Sequence, residues 1–391
     1  MPRYQSVCIV IDGRQGPENL SRGISPRGQN HPLSKLSDHA ARCRYVPDQT
    51  GRSTREFDRL GGVVGRRLHA ALRGAATPLA LGVLSACGCG GSTDEAPVTL
   101  RLAAYSTPRG AYEKIISEYQ KRVKVRFETS YGASGDQSAA VESGERRADI
   151  VAFSLEPDIT RLVRARLVPE DWRSDAYGGH GGMVTNSVVV IATRKGNPRK
   201  LHTWRDLLRP GIEVITPNAF VSGGARWNVL AGYGAESDRG KDKAAGRAYL
   251  RALFAHVPVQ DSSARGALQT FNSGWGDALL AYENEVSGLA APLETQMPEA
   301  TILIENPVAV TLDSEHPREA KAFLTFLRTP AAQRIFAENG YRPVLPGIAD
   351  PRRFPVPRRL FTIKDLGGWE KLDGEFFDPE RGLVADIQER S

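Results

Sequence analysis

The sequence predicts an α/β protein of two lobes with a ligand cleft between them. Three observations carry this. From residue 98 onward, apolar and β-branched runs alternate with segments of helical period, the pattern of a largely parallel sheet covered by helices. This alternating part holds about 295 of the 391 residues, more than one core ordinarily fills. Its strands end in short Gly/Ser turns that open helices, which is where such folds take their ligands.

Val98 to Tyr105 alternates in polarity and predicts the first strand. Ile115, Ile116 and Tyr119 share a helical face within Tyr112 to Arg122. Val123 to Thr129 reads as a second strand, Asp136 to Ser143 as a helix, and Asp149 to Ser154 as a third, more apolar strand. Thr185 to Thr193 carries the most continuous β-branched run, expected of a buried strand. A short helix is expected over Trp204 to Leu208 and a strand over Glu213 to Thr216. Helices follow at Ala225 to Ala231, Gly240 to Phe254 and Leu268 to Phe271. Leu279 to Tyr282 and Thr301 to Ile304 read as strands, Pro317 to Leu327 and Pro330 to Asn339 as helices. The division expected is a first lobe over 98–183, a second over 184–289, a return to the first over 290–330, and C-terminal helices packing on the lobes over 331–391.

The front of the chain differs. Residues 1–86 carry 13 Lys+Arg against 6 Asp+Glu, which leaves 39 of each in residues 87–391. The whole net charge of +7 therefore sits in the N-terminal segment, and the main body has no basic excess for nucleic acid. Arg66, Arg67 and Arg73 precede a short apolar run from Ala75 to Ser85, as in a signal peptide over 63–86. Leu84-Ser85-Ala86-Cys87 looks like a lipobox, with Cys87 as the lipidated residue and 87–97 as a flexible tether; the alternative is an ordinary signal cut near Ala86. Acyl chains on Cys87 would anchor the protein to the outer face of the cytoplasmic membrane. Residues 1–62 lack apolar periodicity and read as a mis-called start, the true one near Val63 or Val64, or as a disordered extension. All four cysteines fall at or before Cys89, so the later residues can build neither a disulfide framework nor a Cys-based metal site.

Four turns share one design: Tyr105-Ser-Thr-Pro-Arg109, Tyr131-Gly-Ala-Ser-Gly135, Ser222-Gly223-Gly224, and Asp261-Ser-Ser-Ala-Arg-Gly266. Each stands at a helix start, where backbone N–H groups lack intrahelical partners and the helix dipole is positive. Ser222-Gly223-Gly224 is the most informative, because its glycines let a ligand approach the main chain. This makes an anion site without a formal positive charge. One such turn is ordinary capping; four in one chain, two in each expected lobe, indicate a ligand. Trp204, Trp227, Trp275 and Trp369 are expected as packing anchors. The seven histidines show no metal-ligand spacing, and no metal or cofactor is expected. Gly234 to Lys241 has the wrong spacing for a phosphate loop, and Gly132-Ala-Ser-Gly135 is one residue short of a nucleophile elbow.

The chain resembles the periplasmic sulfate-binding proteins of ABC importers. The matching strings are Ile215-Thr-Pro-Asn218, Ser222-Gly-Gly-Ala-Arg-Trp-Asn228, Arg194-Lys-Gly-Asn-Pro198, Ala264-Arg-Gly266, Glu283-Asn-Glu285, Tyr341-Arg-Pro343, Leu360-Phe-Thr-Ile363 and Gly367-Gly-Trp369. The resemblance implies the two-lobed type II binding-protein fold, hinged by crossing strands, and a monomer that delivers sulfate to a permease with its ATPase. It implies backbone N–H donors at Ser106, Ser134, Gly223, Gly224 and Ala264, the hydroxyl of Ser222, and a side-chain donor at Tyr282, where relatives often carry Trp. Arg109, Arg226 and Arg265 would brace turns and carboxylates behind these donors. Sulfate is a dianion without a proton to give, so a cage of donors suits it, whereas an acceptor would suit hydrogen phosphate. Thiosulfate, molybdate or tungstate in the same fold is the nearest alternative. A secreted enzyme using Ser134 or Ser222 is the alternative of another class.

Overall fold

The computed structural model describes residues 97–287 and 293–389. The expected signal peptide over 63–86, Cys87, the expected tether as far as residue 96, and the segment 1–62 lie outside the described residues. The described residues fall within one compact unit, Cys89–Ser391.

The chain runs β1 (Val98–Tyr105), α1 (Arg109–Gln120), β2 (Val125–Gly132), α2 (Ser134–Glu142), β3 (Ile150–Ala152), α3 (Glu156–Arg164) and β4 (Met183–Arg194). It continues through β5 (Val214–Ile215), α4 (Gly223–Glu236), α5 (Lys243–Phe254), α6 (Ala264–Asn272), β6 (Ala278–Tyr282), α7 (Glu283–Ser287) and β7 (Leu293–Gln296). It ends with β8 (Ala300–Val310), α8 (Pro317–Leu327), α9 (Pro330–Glu338), β9 (Arg342–Pro343), β10 (Arg359–Phe361), α10 (Trp369–Phe377) and α11 (Leu383–Glu389).

The strand order is β2-β1-β3-β8-β4-β6-β5, with β10 on β8 and both β7 and β9 on β4. β1 runs parallel to β2 and β3, as the strand–helix–strand pattern predicts. The sheet as a whole is mixed, however, which corrects the expectation of a largely parallel one. β8 is antiparallel to β3 and β4, and β4 is antiparallel to β6, β7 and β9. The cause is two long strands that cross the molecule. β4 pairs with β8 through Met183 to Val188 and with β6 through Val189 to Thr193. β8 pairs with β10 through Ala300 to Ile302, with β4 through Leu303 to Pro307, and with β3 through Val308 to Val310. Each strand thus serves one lobe with one half and the other lobe with the rest.

β8 extends six residues beyond the expected Thr301 to Ile304, through Glu305, Asn306 and Pro307. A proline cannot donate to a ladder. Pro307 is accommodated where the β4 register shifts between Met183 and Thr185. α3 was not anticipated; its start signal is Pro157 in the first turn with Glu156 and Asp158.

Four groups of buried side chains fill the described residues, and the two largest show how the lobes are packed. In the first, Leu100, Leu102, Tyr112 and Ile115 from β1 and α1 meet Phe323 and Phe336 from α8 and α9. Tyr112 packs edge-on against Phe336 at 5.6 Å between ring centres. In the second, Trp204, Trp227, Leu230 and Phe376 pack around α4, and Trp227 meets Trp369 edge-on at 4.8 Å. Each such side chain contributes roughly 1.5–3 kcal/mol by burial. Three of the four named tryptophans are packing anchors as expected; Trp275 is 60% exposed, in the turn after α6.

Candidate functional site

The residues that end β1, β2 and β3 and those that begin α2, α4 and α6 line one small cavity. The volume open to the centre of a water molecule is about 10 Å³. That suits a compact ion and is far from the several hundred Å³ of an organic ligand's cleft. Ser106, Ser134, Ser222, Gly223, Gly224, Ala264 and Tyr282 all lie in its wall. None of its lining residues is charged.

Local chemistry explains the free donors. Ser222 occupies the N-cap position of α4 with extended backbone angles, yet its hydroxyl caps nothing. It makes no hydrogen bond among the described residues and faces the cavity with the unpartnered N–H groups of Gly223 and Gly224. Ser263, at the same position of α6, does cap: its hydroxyl accepts from Gly266 N–H at 3.1 Å. That leaves Ala264 N–H free at the cavity. Ordinary capping therefore accounts for Ser263 and not for Ser222. Gly224 is needed for close approach, since a Cβ there would stand 3.2 Å from the Cβ of Ala264.

Ser134 opens α2. Its hydroxyl donates to Asp158 Oδ2 at 2.5 Å and accepts from Ser154 N–H at 3.0 Å. The side chain is fully engaged, and the backbone N–H is what remains for a ligand. Ser106 differs from the expectation that its amide is available. Its N–H continues the β1–β2 ladder to Gly132 O at 2.9 Å, because the parallel register runs to Tyr105 opposite Gly132. The unpartnered groups at this strand end are the Ser106 hydroxyl and Thr107 N–H.

Tyr282 ends β6 and is buried, and its phenol has no hydrogen-bond partner among the described residues. Burial raises its pKa well above the ordinary 10, helped by Tyr105 and Glu285 nearby. The phenol therefore keeps its proton at neutral pH and stands ready to donate. Its backbone N–H donates to Glu285 Oε2 at 3.0 Å, while Thr107 Oγ1 donates to Glu285 Oε1 at 3.0 Å. Burial raises the Glu285 pKa, and these two donors oppose the shift. The Glu283-Asn-Glu285 string thus works behind the cavity. Glu283 pairs with Arg342 through both oxygens, at 2.7 and 3.0 Å, and Asn284 Oδ1 accepts from Ser187 Oγ at 2.8 Å.

The three arginines lie outside the cavity wall. Arg226 donates to Ala219 O at 2.9 Å and to Asp373 at 2.5 Å, holding the turn before α4 against α10. Arg109 pairs with Glu113 at 2.8 Å and lies over the Tyr131 ring. Arg265 lowers the pKa of Glu285 electrostatically. Sequence reasoning missed Ser154, a buried wall residue with an unpaired hydroxyl. It lies in the bend between β3 and α3 with no Gly beside it, and α3 was not itself expected.

Two α/β lobes joined by crossing strands, with helix N-termini from both aimed into one small cavity lined by uncharged residues, define a solute-binding protein of the type II fold. The chain belongs to the bacterial extracellular solute-binding proteins, whose family model matches residues 100–342. It is 37% identical to the sulfate-binding protein of Synechococcus elongatus, covering 75% of this chain and 90% of the relative. It is 32% identical to the thiosulfate-binding protein of Escherichia coli over 64% of this chain and 77% of that protein. The solved structure of the sulfate-binding protein SubI from Mycobacterium tuberculosis is 43% identical, with a TM-score of 0.69 over 72% of this chain and 100% of that one.

Proposed function

We propose that this protein binds sulfate outside the cytoplasm and delivers it to an ABC importer. The observation that carries the reading is the cavity itself. The unpartnered N–H groups of Ser134, Gly223, Gly224 and Ala264 and the hydroxyl of Ser222 meet there with no charged side chain in the wall. Three helix N-termini add partial positive charge at the same point. A fully ionised dianion satisfies such donors without leaving an acceptor unmet. The sulfate-binding relatives support the same ligand. The ligand-binding set is Ser134, Ser222, Gly223, Gly224, Ala264 and Tyr282, with Ser106 contributing through its hydroxyl rather than its amide. The protein acts by binding and release, and no chemistry is done on the anion.

The reading extends to the parts of the chain that bear on location. A lipid on Cys87 would hold a monomer at the outer face of the cytoplasmic membrane, beside the permease it serves. The crossing strands β4 and β8 would act as the hinge between lobes. Thiosulfate is the second reading, favoured by the thiosulfate-binding relative. Isothermal titration of the purified protein with sulfate, thiosulfate and phosphate tests these. Sulfate is expected to bind and phosphate to fail; a preference for phosphate overturns the assignment.

A further inference from the structure

One wall residue lies in the bend that links β3 to α3, just ahead of the α3 N-cap Leu155. Ser154 follows β3 by two residues and is buried. Its backbone is engaged on both sides. The N–H donates to Ser134 Oγ at 3.0 Å, and the carbonyl accepts from Trp227 Nε1 at 2.8 Å and Asn306 Nδ2 at 3.1 Å. Only the hydroxyl is left, and it has no partner. A buried hydroxyl without a hydrogen bond is costly, so it is poised to donate to a ligand in the cavity. A Cβ placed on Gly223 would fall 1.9 Å from Ser154 Oγ, so this oxygen packs against the residue that carries the first free amide of α4. The phenol of Tyr282, also buried, lies beside it, and the Ser154 hydroxyl is near enough to oppose the rise in the phenol's pKa, though neither oxygen makes a well-formed hydrogen bond among the described residues. Two unpaired hydroxyls from opposite lobes thus flank the same side of one cavity.

We propose that Ser154 Oγ is a direct ligand contact that selects sulfate over thiosulfate by donating a hydrogen bond to one oxygen of the bound anion. The inference rests on the sulfate reading above. Thiosulfate has a sulfur in place of one oxygen, larger and a weaker acceptor. Ser222, Tyr282 and Ser154 each hold a hydroxyl at the wall, so a sulfur turned toward any of them meets a donor better suited to oxygen. A donor left facing it would go unsatisfied. Replacing the Ser154 hydroxyl by hydrogen removes that penalty and frees the space of one oxygen.

The test is titration of sulfate and of thiosulfate into the purified full-length protein, its Ser154→Ala variant and its Ser154→Cys variant. Thermal melting of each checks the fold. Ser154→Ala is expected to weaken sulfate about tenfold or more, the effect of losing one hydrogen bond to a charged group, and to weaken thiosulfate by less than about threefold. Ser154→Cys nearly keeps the shape but donates weakly, and should follow Ser154→Ala toward sulfate. If the unaltered protein binds sulfate and the alanine variant binds it equally well, Ser154 is no contact. If both anions weaken by the same factor, it is no selector. If the unaltered protein binds neither anion, the functional reading fails, and the inference with it.

Discussion

Gly135 donates its backbone N–H to the carbonyl of Val221 at 3.2 Å, a main-chain bond between the start of α2 in one lobe and the turn before α4 in the other. A Cβ at position 135 would stand 2.9 Å from that carbonyl oxygen. Backbone cannot yield at such a contact as a flexible side chain would. Gly135 therefore lets the two helix N-termini approach each other over the cavity. Gly135→Ala is expected to hold the lobes apart and weaken sulfate binding by roughly 1–3 kcal/mol, the usual cost of overpacking, while leaving the thermal midpoint of the ligand-free protein nearly unchanged. Calorimetry gives the affinity and small-angle scattering the degree of closure. An unaltered affinity would remove this contact from the bound state.

Ser222 tests the cage most directly. Its hydroxyl neither caps α4 nor bonds elsewhere, so removing it costs the ligand-free protein little. Ser222→Ala should weaken sulfate binding by about 1.5–3 kcal/mol, the worth of one hydrogen bond to a charged group. Titration against the unaltered protein measures this. An enzyme using Ser222 as nucleophile would instead keep its affinity and lose turnover.

Much of this site is legible in the sequence because it is made of turns. Ser-Gly-Gly before a helical run fixes both the free amides and the close approach, and Ser222, Gly223, Gly224 and Ala264 reach one cavity as that pattern implies. What stays hidden depends on register and long-range pairing. The amide of Ser106 is engaged because β1 and β2 pair through to Tyr105 and Gly132, a relation no local pattern contains. Ser154 sits in a bend after a short strand, and only the fold packs its hydroxyl against Gly223. The mixed sheet is hidden for the same reason. Strand–helix alternation speaks for neighbours in sequence, whereas β4 and β8 pair across more than a hundred residues.

Tyr282 separates donation from shape. The ring packs in the core of the second lobe while the phenol oxygen has no partner. Tyr282→Phe keeps the ring and removes only the donor. Sulfate affinity should fall by about 1.5–3 kcal/mol, and stability should hold or rise, since an unpaired buried hydroxyl is lost. A melting curve and a titration on the same sample decide it. A variant that binds as before would make Tyr282 a packing residue alone.

Asp158 links the site to pH. It accepts from Ser134 Oγ behind the N-terminus of α2. Burial raises its pKa, with Arg226 and the Ser134 hydroxyl pulling the other way. A raised folded value contributes stability that is fully present below the ordinary carboxylate value of about 3.9 and is lost as pH rises through the raised one. A bound dianion nearby raises that value further, so binding takes up protons. Sulfate affinity should therefore increase as the pH falls from 7 towards the carboxylate range, and Asp158→Asn should flatten the slope. Glu285, raised by burial likewise, leaves a residual slope of the same sign. Calorimetry in two buffers of different ionisation enthalpy counts the protons; release on binding would contradict the assignment.

Arg342 and Glu283 bear on stability rather than on the ligand. The pair is bidentate and largely buried, with side chains 11% and 5% exposed. Arg342 also donates to Pro355 O at 2.8 Å, which ties the chain after β9 to the start of α7. Burial raises the Glu283 pKa, and Arg342 is the main force against that shift. Removing the arginine alone leaves a carboxylate without its counter-charge in the interior, a change that typically costs about 3–5 kcal/mol. Arg342→Met should lower stability by that order in denaturant unfolding. The double change Arg342→Met with Glu283→Gln should recover part of the loss, because a neutral amide does not carry the charge penalty. Equal stability of the single and double variants would mean that the carboxyl is neutral once the arginine is gone, and an unpaired charge would then not account for the loss.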